Sequence, residues 1–188
     1  MQRAYALVGL VLAIALLAWS VAAAQRNKKP RQQQVVELKN AKGDSVGTAT
    51  LTRAKQGVII TLNVNGLPPG EHAIHIHQDA KCEANPAAPQ DAFKSAGPHF
   101  NPEGRKHGLQ SPEGAHAGDM ANFTVAKDGT STARIFNTKV TMETDVSYSV
   151  YSNGGTALVI HEKPDDMKTD PSGNSGARIA CGVITPPK

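Results

Sequence analysis

Six histidines and one aspartate fall in three segments of this 188-residue chain. They are His75 and His77 in the first segment, His99, His107, His116 and Asp119 in the second, and His161 in the third. Imidazole is the commonest metal ligand in proteins, and imidazoles grouped with a carboxylate favour borderline metals such as copper and zinc. The seven side chains therefore predict a site for two metal ions.

The first segment has a spacing that suits a β-strand. His75 and His77 are separated by one residue, and alternate residues of a strand face the same side, so the two imidazoles project together. Taken alone, such a pair more often marks a half-buried polar face than a metal site. Two imidazoles on one face make half of a four-coordinate site, and the motifs around the other candidate ligands remove the ambiguity.

Short segments of alternating β-branched and polar residues predict an all-β domain. Residues 46–53 and 58–64 predict paired strands, and residues 121–126 and 132–136 predict a hairpin around the turn at 127–130. Further short strands are predicted at residues 35–39, 72–77, 146–151, 157–161 and 178–184. About eight short strands without a convincing amphipathic helix predict an antiparallel sandwich or barrel.

Two long stretches interrupt this strand pattern. Residues 78–118 are rich in proline, glycine and alanine, and residues 162–177 are polar and rich in glycine. Loops of this length within a compact domain are usually functional or disordered. The first stretch carries His99, His107 and His116, so we expect metal ligation to order it, because ligation supplies free energy that a hydrophobic core would otherwise provide.

The N-terminal segment predicts export. Residues 4–24 are apolar apart from Ser20, with Arg3 before them and three alanines at their end. This pattern is typical of a secretory signal peptide over residues 1–24, followed by a basic linker over residues 25–34 and a domain over residues 35–188. The alternative is an uncleaved membrane anchor, since a run of about 20 apolar residues can span a bilayer.

The charges flanking this segment complicate both interpretations. Four basic residues follow it within residues 26–31, whereas only Arg3 precedes it, and the positive-inside rule would keep the more basic side in the cytoplasm. We nevertheless expect an exported protein, periplasmic or extracellular. Contact with a membrane is expected only if the N-terminal segment stays attached.

The net charge excludes a nucleic-acid-binding domain. The formal charge is +4, but five of the 20 basic residues and none of the 16 acidic residues lie within the first 31 residues. The remaining chain therefore carries 15 basic and 16 acidic residues. Clustered basic charge on the domain itself, which nucleic-acid binding requires, is absent from this composition.

The chain has two cysteines, Cys82 and Cys181. In an exported protein an even pair most simply forms one disulfide, whereas two free buried thiols would suit a cytosolic protein. A bridge between them would close a loop of roughly 100 residues, which stabilises the fold by at most about 4 to 5 kcal/mol in the chain-entropy model.

Longer motifs surround the candidate ligands. They are GEHAIHIHQ at residues 70–78, GPHFNP at 97–102, KHG at 106–108, HAGDMAN at 116–122, VIHEKPDD at 159–166 and GNSGARIACGVI at 173–184. Together they closely resemble the copper,zinc superoxide dismutase family over about residues 35–185. The resemblance implies a Greek-key β-sandwich and an antioxidant oxidoreductase that converts superoxide to dioxygen and hydrogen peroxide.

The same resemblance implies one copper ion and one zinc ion per chain. The copper ligands would be His75, His77, His99 and His161, and the zinc ligands would be His99, His107, His116 and Asp119. His99 would thus serve both metals as a bridging imidazolate with a catalytic role in proton supply. Zinc has no redox chemistry, and four protein ligands close its site, so the zinc would be structural.

Three further roles follow from the resemblance. Asp165 would link a copper ligand, His75, to a zinc ligand, His107, because outer carboxylates fix the tautomer and orientation of ligating imidazoles. Arg178 would attract the superoxide anion to copper with a charge that persists at any relevant pH. Cys82 and Cys181 match the family disulfide, and His72 matches a framework histidine.

The chain departs from the family in one loop. Many members carry a Lys-Thr pair before the Gly-Asn segment, where this chain has Pro171 and Ser172, and an acidic pair common earlier in the loop is missing. Substrate steering is therefore expected to differ, with Lys168 a candidate substitute charge. The family includes monomers and dimers, so a homodimer is one of the expected states.

The strongest alternative function is a non-catalytic copper-binding or copper-delivery protein of the same fold. Relatives specialised for delivery tend to lose copper ligands or the arginine, and this chain retains both. A zinc hydrolase is disfavoured, because the four-residue zinc set leaves no open position for water.

Overall fold

The computed structural model describes residues 31–85, 87–88 and 92–187. The chain divides into the units Met1–Arg31 and Gln32–Lys188, and the strands all lie in the second unit. The predicted leader and residues 25–30 of the predicted linker lie outside the described residues. Within the described ranges, no helix is both long enough and apolar enough to cross a membrane.

The described residues form nine β-strands and no α-helix. The strands are β1 (Gln33–Asn40), β2 (Ser45–Arg53), β3 (Val58–Val64), β4 (Gly70–His72), β5 (Ile74–His77), β6 (Phe123–Val125), β7 (Ser131–Asn137), β8 (Thr156–His161) and β9 (Arg178–Ile184). Short 3-10 turns occur at Lys94–Ala96 and Ser152–Gly154. The predicted all-β fold is confirmed, with nine strands in place of about eight.

Seven of the strands form one antiparallel sheet. Its order is β5-β8-β9-β1-β2-β3-β7, and β4 and β6 form a separate two-stranded sheet. Since β7 returns beside β3 and β9 lies between β8 and β1, the connections are of the Greek-key type. Every strand except β4 contributes to a single hydrophobic cluster, so the large sheet curls around one core.

The alternation of β5 places the candidate ligands. Ile74 and Ile76 are fully buried in the core, where each Ile side chain contributes about 1.5 to 3 kcal/mol. His75 and His77 alternate with them and therefore face the opposite side of the strand, yet they too are buried. The long loops must cover that side, because neither imidazole is exposed to solvent.

A second hydrophobic cluster lies on the same side as the two histidines. Ala157 and Val159 of β8 pack there against Phe93 and Cys181, while Leu158 and Ile160 of β8 belong to the main core. His161 continues the alternation of Ala157 and Val159. The second cluster therefore anchors the loop of residues 78–118 beside the ligands of β5 and β8.

The predicted hairpin of residues 121–126 and 132–136 is wrong. A tight turn does connect the segments, with the Ala126 N–H donating to Thr130 O over 2.8 Å. However, β6 pairs with β4, while β7 pairs with β3 over its full length. The residues at 127–130 predict a turn correctly, but they do not determine which strands pair. The seven-residue ladder between β7 and β3 determines the partner of β7.

Two other strand predictions need correction. Residues 72–77 form two strands separated at Ala73, whose N–H donates to Lys163 O and whose carbonyl accepts from the His161 N–H, both at 2.9 Å. Residues 146–151 form turns in place of a strand. There the Ser149 hydroxyl donates to Glu143 O, so a side chain competes with the strand ladder for the backbone groups.

The two predicted long loops lie between β5 and β6 and between β8 and β9. Cys82 in the first loop is bonded to Cys181 in β9, with a Cα–Cα distance of 5.6 Å and a sequence separation of 99. The predicted disulfide is therefore present, and it ties the first loop to the sheet.

Replacing both cysteines should lower stability substantially. In the chain-entropy model we expect the Cys82→Ser/Cys181→Ser variant to lose unfolding free energy, by at most about 4 to 5 kcal/mol, because the denatured chain is no longer constrained. Chemical denaturation of the metal-free proteins measures this without a contribution from metal binding. An unchanged unfolding free energy would contradict the expectation.

Candidate metal centre

Three parts of the fold bring the predicted ligands together. His75 and His77 lie in β5, and His161 ends β8, the strand next to β5. His99 comes from the first long loop, which runs antiparallel to β5 at this point through a bridge between His77 and His99. The Phe100 N–H donates to Ile76 O over 2.8 Å and fixes that alignment.

The first ligand group consists of His75, His77, His99 and His161. One potential ligand atom from each lies within 4.8 Å of all the others, and all four residues are buried. The Nε2 atoms of His77 and His161 are 3.4 Å apart. Four imidazoles converging in a buried space have the composition of a copper or zinc site.

The second ligand group consists of His99, His107, His116 and Asp119. Their potential ligand atoms also lie within 4.8 Å of one another, and the residues are buried. Asp119 Oδ1 lies 2.9, 3.1 and 3.3 Å from the Nδ1 atoms of His99, His107 and His116 respectively. Three imidazoles and a carboxylate around one point form a closed set of four protein ligands.

His99 belongs to both groups and offers a different nitrogen to each. Its Nδ1 faces Asp119 in the second group. Its Nε2 is buried without a hydrogen-bond partner among the described residues, and its ring centre lies 4.0 Å from that of His75 in the first group. The two groups therefore meet at a single imidazole.

The ligand nitrogens show whether metal ions suit this centre. Among the described residues, His75 Nδ1, His99 Nε2, His107 Nδ1 and His116 Nδ1 are buried without a hydrogen-bond partner. Buried polar atoms are almost always paired, so such unpaired nitrogens require an explanation. All four point into one of the two groups, and an ion in each group would satisfy them.

The opposite nitrogens are held by protein groups. Asp165, which is buried, accepts hydrogen bonds from His75 Nε2 at 2.9 Å and from His107 Nε2 at 3.0 Å. His77 Nδ1 donates to Gly97 O over 2.8 Å. These contacts orient each ring so that its other nitrogen faces its ligand group, and Asp165 contacts one imidazole from each group.

Burial keeps most of these imidazoles neutral. It lowers the pKa of His75, His77 and His161, and it lowers the pKa of His99 to about 4 against the opposing hydrogen bond to Asp119. Neutral imidazoles are the form that binds metals. For His107, burial also acts to lower the pKa, but the carboxylate of Asp119 beside Nδ1 and the hydrogen bond to Asp165 outweigh it and raise the pKa to about 9.

The two carboxylates remain charged. Burial acts to raise the pKa of Asp119 and of Asp165, but the hydrogen bonds from the surrounding histidines hold both well below the usual range. Each carboxylate can therefore offset the charge of a bound cation at neutral pH. Because the neutral imidazole of His107 is the form that binds a metal and its pKa is raised, metal binding to this group should release protons.

Gly173 allows the second loop to close over Asp165. Its φ of 64° is in the left-handed region, and a Cβ there would collide with the Asp165 carboxylate. Glycine is the residue that adopts this conformation without a steric penalty. The geometry therefore explains why the first residue of the GNSGAR motif is glycine.

Arg178 lies at the start of β9 and is half-buried. Its Nη1 donates to Phe93 O over 2.6 Å and its Nη2 to Gly97 O over 2.7 Å. Gly97 O also accepts the hydrogen bond from His77, so the guanidinium is held beside the first ligand group. Burial lowers the pKa of Arg178, but a guanidinium stays protonated at physiological pH.

Two residues of the second long loop contact the centre in ways that the sequence did not predict. Ser175 Oγ lies 3.1 Å from His161 Nδ1. Asp170 Oδ1 accepts a hydrogen bond from the His107 N–H over 2.8 Å. Single serine and aspartate residues in a glycine-rich loop carry no distinctive spacing, so no pattern in the sequence marks them.

Three other residues lie outside both groups. Both ring nitrogens of His72 lie 2.8 Å from backbone carbonyl oxygens, those of Pro68 and His161, which suits the predicted framework role. Asp166 is exposed but accepts several hydrogen bonds within its own loop, including one from Asn174. Lys168 is exposed in the same loop, and its steering role stays a prediction.

Comparison with known families decides the relationship. Residues 45–184 match the family model described as copper/zinc superoxide dismutase (SODC). The chain belongs to this family. The predicted resemblance is therefore confirmed, and it extends over most of the unit that carries the nine strands.

Individual proteins are similar to this chain over most of their length. "Superoxide dismutase [Cu-Zn] 2" of Aquifex aeolicus is 49% identical over 149 residues, which cover 79% of this chain and 84% of the relative. A SOD-like protein from Bacillus subtilis is 35% identical with a TM-score of 0.73, over 80% of this chain and 97% of its own.

A second solved structure extends the comparison to a more distant relative. The Cu/Zn superoxide dismutase from Brucella abortus is 26% identical with a TM-score of 0.64, covering 81% of this chain and 99% of its own. The antiparallel Greek-key architecture predicted from the sequence is therefore that of solved copper/zinc superoxide dismutases.

Proposed function

We propose that the chain is a superoxide dismutase that converts superoxide to dioxygen and hydrogen peroxide. One observation carries the proposal: two buried ligand groups share His99, and a fixed guanidinium lies beside the first of them. Membership of the copper/zinc superoxide dismutase family supports the same activity. The relatives named as superoxide dismutases match this chain over most of their length.

We assign one metal to each ligand group. Copper would be held by His75, His77, His99 and His161, and zinc by His99, His107, His116 and Asp119. Copper, when bound, supplies the one-electron redox chemistry that the reaction requires. The second group includes the carboxylate and offers four protein ligands, the composition of a structural zinc site without an open position.

His99 and Arg178 have the catalytic roles in this proposal. Formation of hydrogen peroxide consumes protons, and His99 Nε2 faces the first group without a hydrogen-bond partner among the described residues. Nε2 would therefore bind copper, and it is the atom at which His99 could hold a proton when it is not bound to the metal. Arg178 provides the positive charge that attracts the anion, since its two carbonyl acceptors leave its charge uncompensated.

Asp165 would preserve the arrangement of the two groups. It holds one imidazole from each group through its two oxygens, so a displacement of either ring is transmitted to the other. Such outer hydrogen bonds commonly affect metal affinity by about 10- to 100-fold. We therefore assign Asp165 a positioning role for both metals.

The alternative is a copper-delivery protein of the same fold. It is not favoured, because all four residues of the first group are in place and Arg178 is held beside them. The number of turnovers separates the two functions. An enzyme should consume superoxide in large molar excess over its copper, whereas consumption limited to about one equivalent per copper would overturn the proposed function.

We further propose that the protein is exported, to the periplasm or the cell exterior. The disulfide between Cys82 and Cys181 fits an oxidising compartment. The leader over residues 1–24, the basic linker over 25–34 and the possible anchor remain predictions from the sequence. Formation of a homodimer likewise stays a prediction.

Intact-mass measurement should show removal of the leader. In the native type of cell, we expect the mature chain to begin near Gln25, because the apolar segment ends there in small residues that suit signal-peptide cleavage. A mature protein that retains Met1 in the membrane fraction would instead support the anchor. Retention of Met1 in soluble cytoplasmic protein would contradict export altogether.

A further inference from the structure

Ser175 is placed against one of the proposed copper ligands. The residue is 1% exposed, and its Oγ lies 3.1 Å from His161 Nδ1. His161 Nε2 faces His77 Nε2 inside the first ligand group. If Nε2 is the ligand atom, Nδ1 carries the ring proton and donates it to the serine hydroxyl.

His161 Nδ1 makes two contacts, and the one with the Ser175 hydroxyl is the shorter. Gly176 O lies 3.4 Å from His161 Nδ1, beyond the range of about 2.7 to 3.2 Å that is usual for N–H···O bonds. By contrast, the outer nitrogens of His75 and His77 have a carboxylate and a carbonyl at 2.9 and 2.8 Å. His161 therefore depends more on a side-chain hydroxyl than these two ligands do.

The loop backbone fixes the position of this hydroxyl. The Lys163 N–H donates to Ser175 O over 2.9 Å, and the Ser175 N–H donates to Ser172 O over 3.3 Å. Lys163 lies two residues beyond His161, so the serine is tied to the same segment as the imidazole that it contacts. The contact between Ser175 and His161 is thus set by the fold of the loop.

We propose that Ser175 is a positioning residue that holds the orientation and tautomer of His161 and thereby tunes the copper site. The inference rests on the proposed function, in which His161 binds copper. A hydrogen bond from Nδ1 makes the ligating nitrogen more basic and fixes the ring. A more basic ligand favours Cu(II) over Cu(I), so loss of the hydroxyl should raise the reduction potential.

Ser175→Ala tests this in the copper- and zinc-loaded full protein. We expect the dissociation constant for Cu(II) to rise about tenfold, at the low end of the effects of outer hydrogen bonds. The reduction potential should shift upward and the Cu(II) electron paramagnetic resonance spectrum should change. Zinc content should stay the same, because no contact joins Ser175 to the zinc-only ligands among the described residues.

Ser149→Ala is the matched control. Ser149 is also 1% exposed, and its hydroxyl donates to Glu143 O in a turn that contains no ligand. We expect this variant to keep the copper affinity, potential and spectrum of the wild type. It separates the loss of a hydrogen bond to His161 from the general cost of removing a buried hydroxyl.

The outcomes distinguish this inference from the function on which it rests. Wild-type affinity and potential in Ser175→Ala would overturn the inference alone, as would equal shifts in Ser149→Ala. If the His161→Ala variant gives the same copper signal as the wild-type protein, the proposed copper site is overturned, and the inference is overturned with it. An upward shift in Ser175→Ala alone supports both.

Discussion

Replacing His99 by alanine should abolish superoxide disproportionation and disturb both metals. His99 is the residue that the two ligand groups share, with one nitrogen in each. Its removal leaves three protein ligands in each group, so we expect metal affinity to fall by more than the roughly 10- to 100-fold typical of lost outer hydrogen bonds. Elemental analysis and the rate of superoxide decay in the same sample measure the two effects.

His107→Ala is the control for this prediction. His107 is as deeply buried as His75, but it contributes to the second four-residue group and not to the first. Its loss should therefore remove zinc while sparing copper more than His99→Ala does. A His99→Ala protein that retains both metals and full activity would contradict a shared ligand.

Reversing the charge of Arg178 should lower the rate of superoxide consumption by at least about tenfold with copper still bound, since electrostatic steering raises association rates by about 10- to 1,000-fold. Arg178→Glu replaces attraction with repulsion beside the first group. Arg178→Lys keeps the charge but loses the planar fork that donates to Phe93 O and Gly97 O. We expect the lysine variant to retain much of the activity.

Ionic strength separates steering from structural damage. The attraction acts during approach, so the wild-type rate should fall as salt shortens the screening length, which is about 8 Å at physiological ionic strength. The rate for Arg178→Glu should fall less or rise, because salt screens the repulsion. The three proteins must carry equal copper, and equal rates for wild type and Arg178→Glu would mean that Arg178 has no substrate role.

Strand alternation alone predicts the position of the two ligands in β5. His75 and His77 share a face of β5 because the side chains of any β-strand point alternately to its two faces. The ligands from the long loops come together as expected, but spacing alone would not have placed them. Their assignment came from the family resemblance, since loop conformation depends on contacts between distant segments.

The strand predictions failed where local and distant preferences differ. The turn near Asp128 predicted a hairpin, yet β6 and β7 join different sheets. Residues 146–151 have β-branched residues but lie in turns, where Ser149 bonds the backbone. The β-propensity of one segment depends on its own residues, whereas strand formation also depends on a pairing partner elsewhere in the chain.

The contacts around the ligands were only partly predictable. Asp165 could be assigned because it stands in a recognisable motif with His161. Ser175 and Asp170 were missed, since a hydroxyl or carboxylate in a glycine-rich loop contacts a ligand only after the whole loop has folded. Such residues are found from distances rather than from spacing.

The measurement that tests the two-metal centre most directly is the metal content of the folded wild-type protein after exposure to excess copper and zinc. Two ligand groups that share one histidine predict one copper and one zinc per chain, with a Cu(II) spectrum typical of nitrogen ligands. Zinc alone in a copper-replete, fully folded sample would contradict the copper site and the dismutase activity that depends on it.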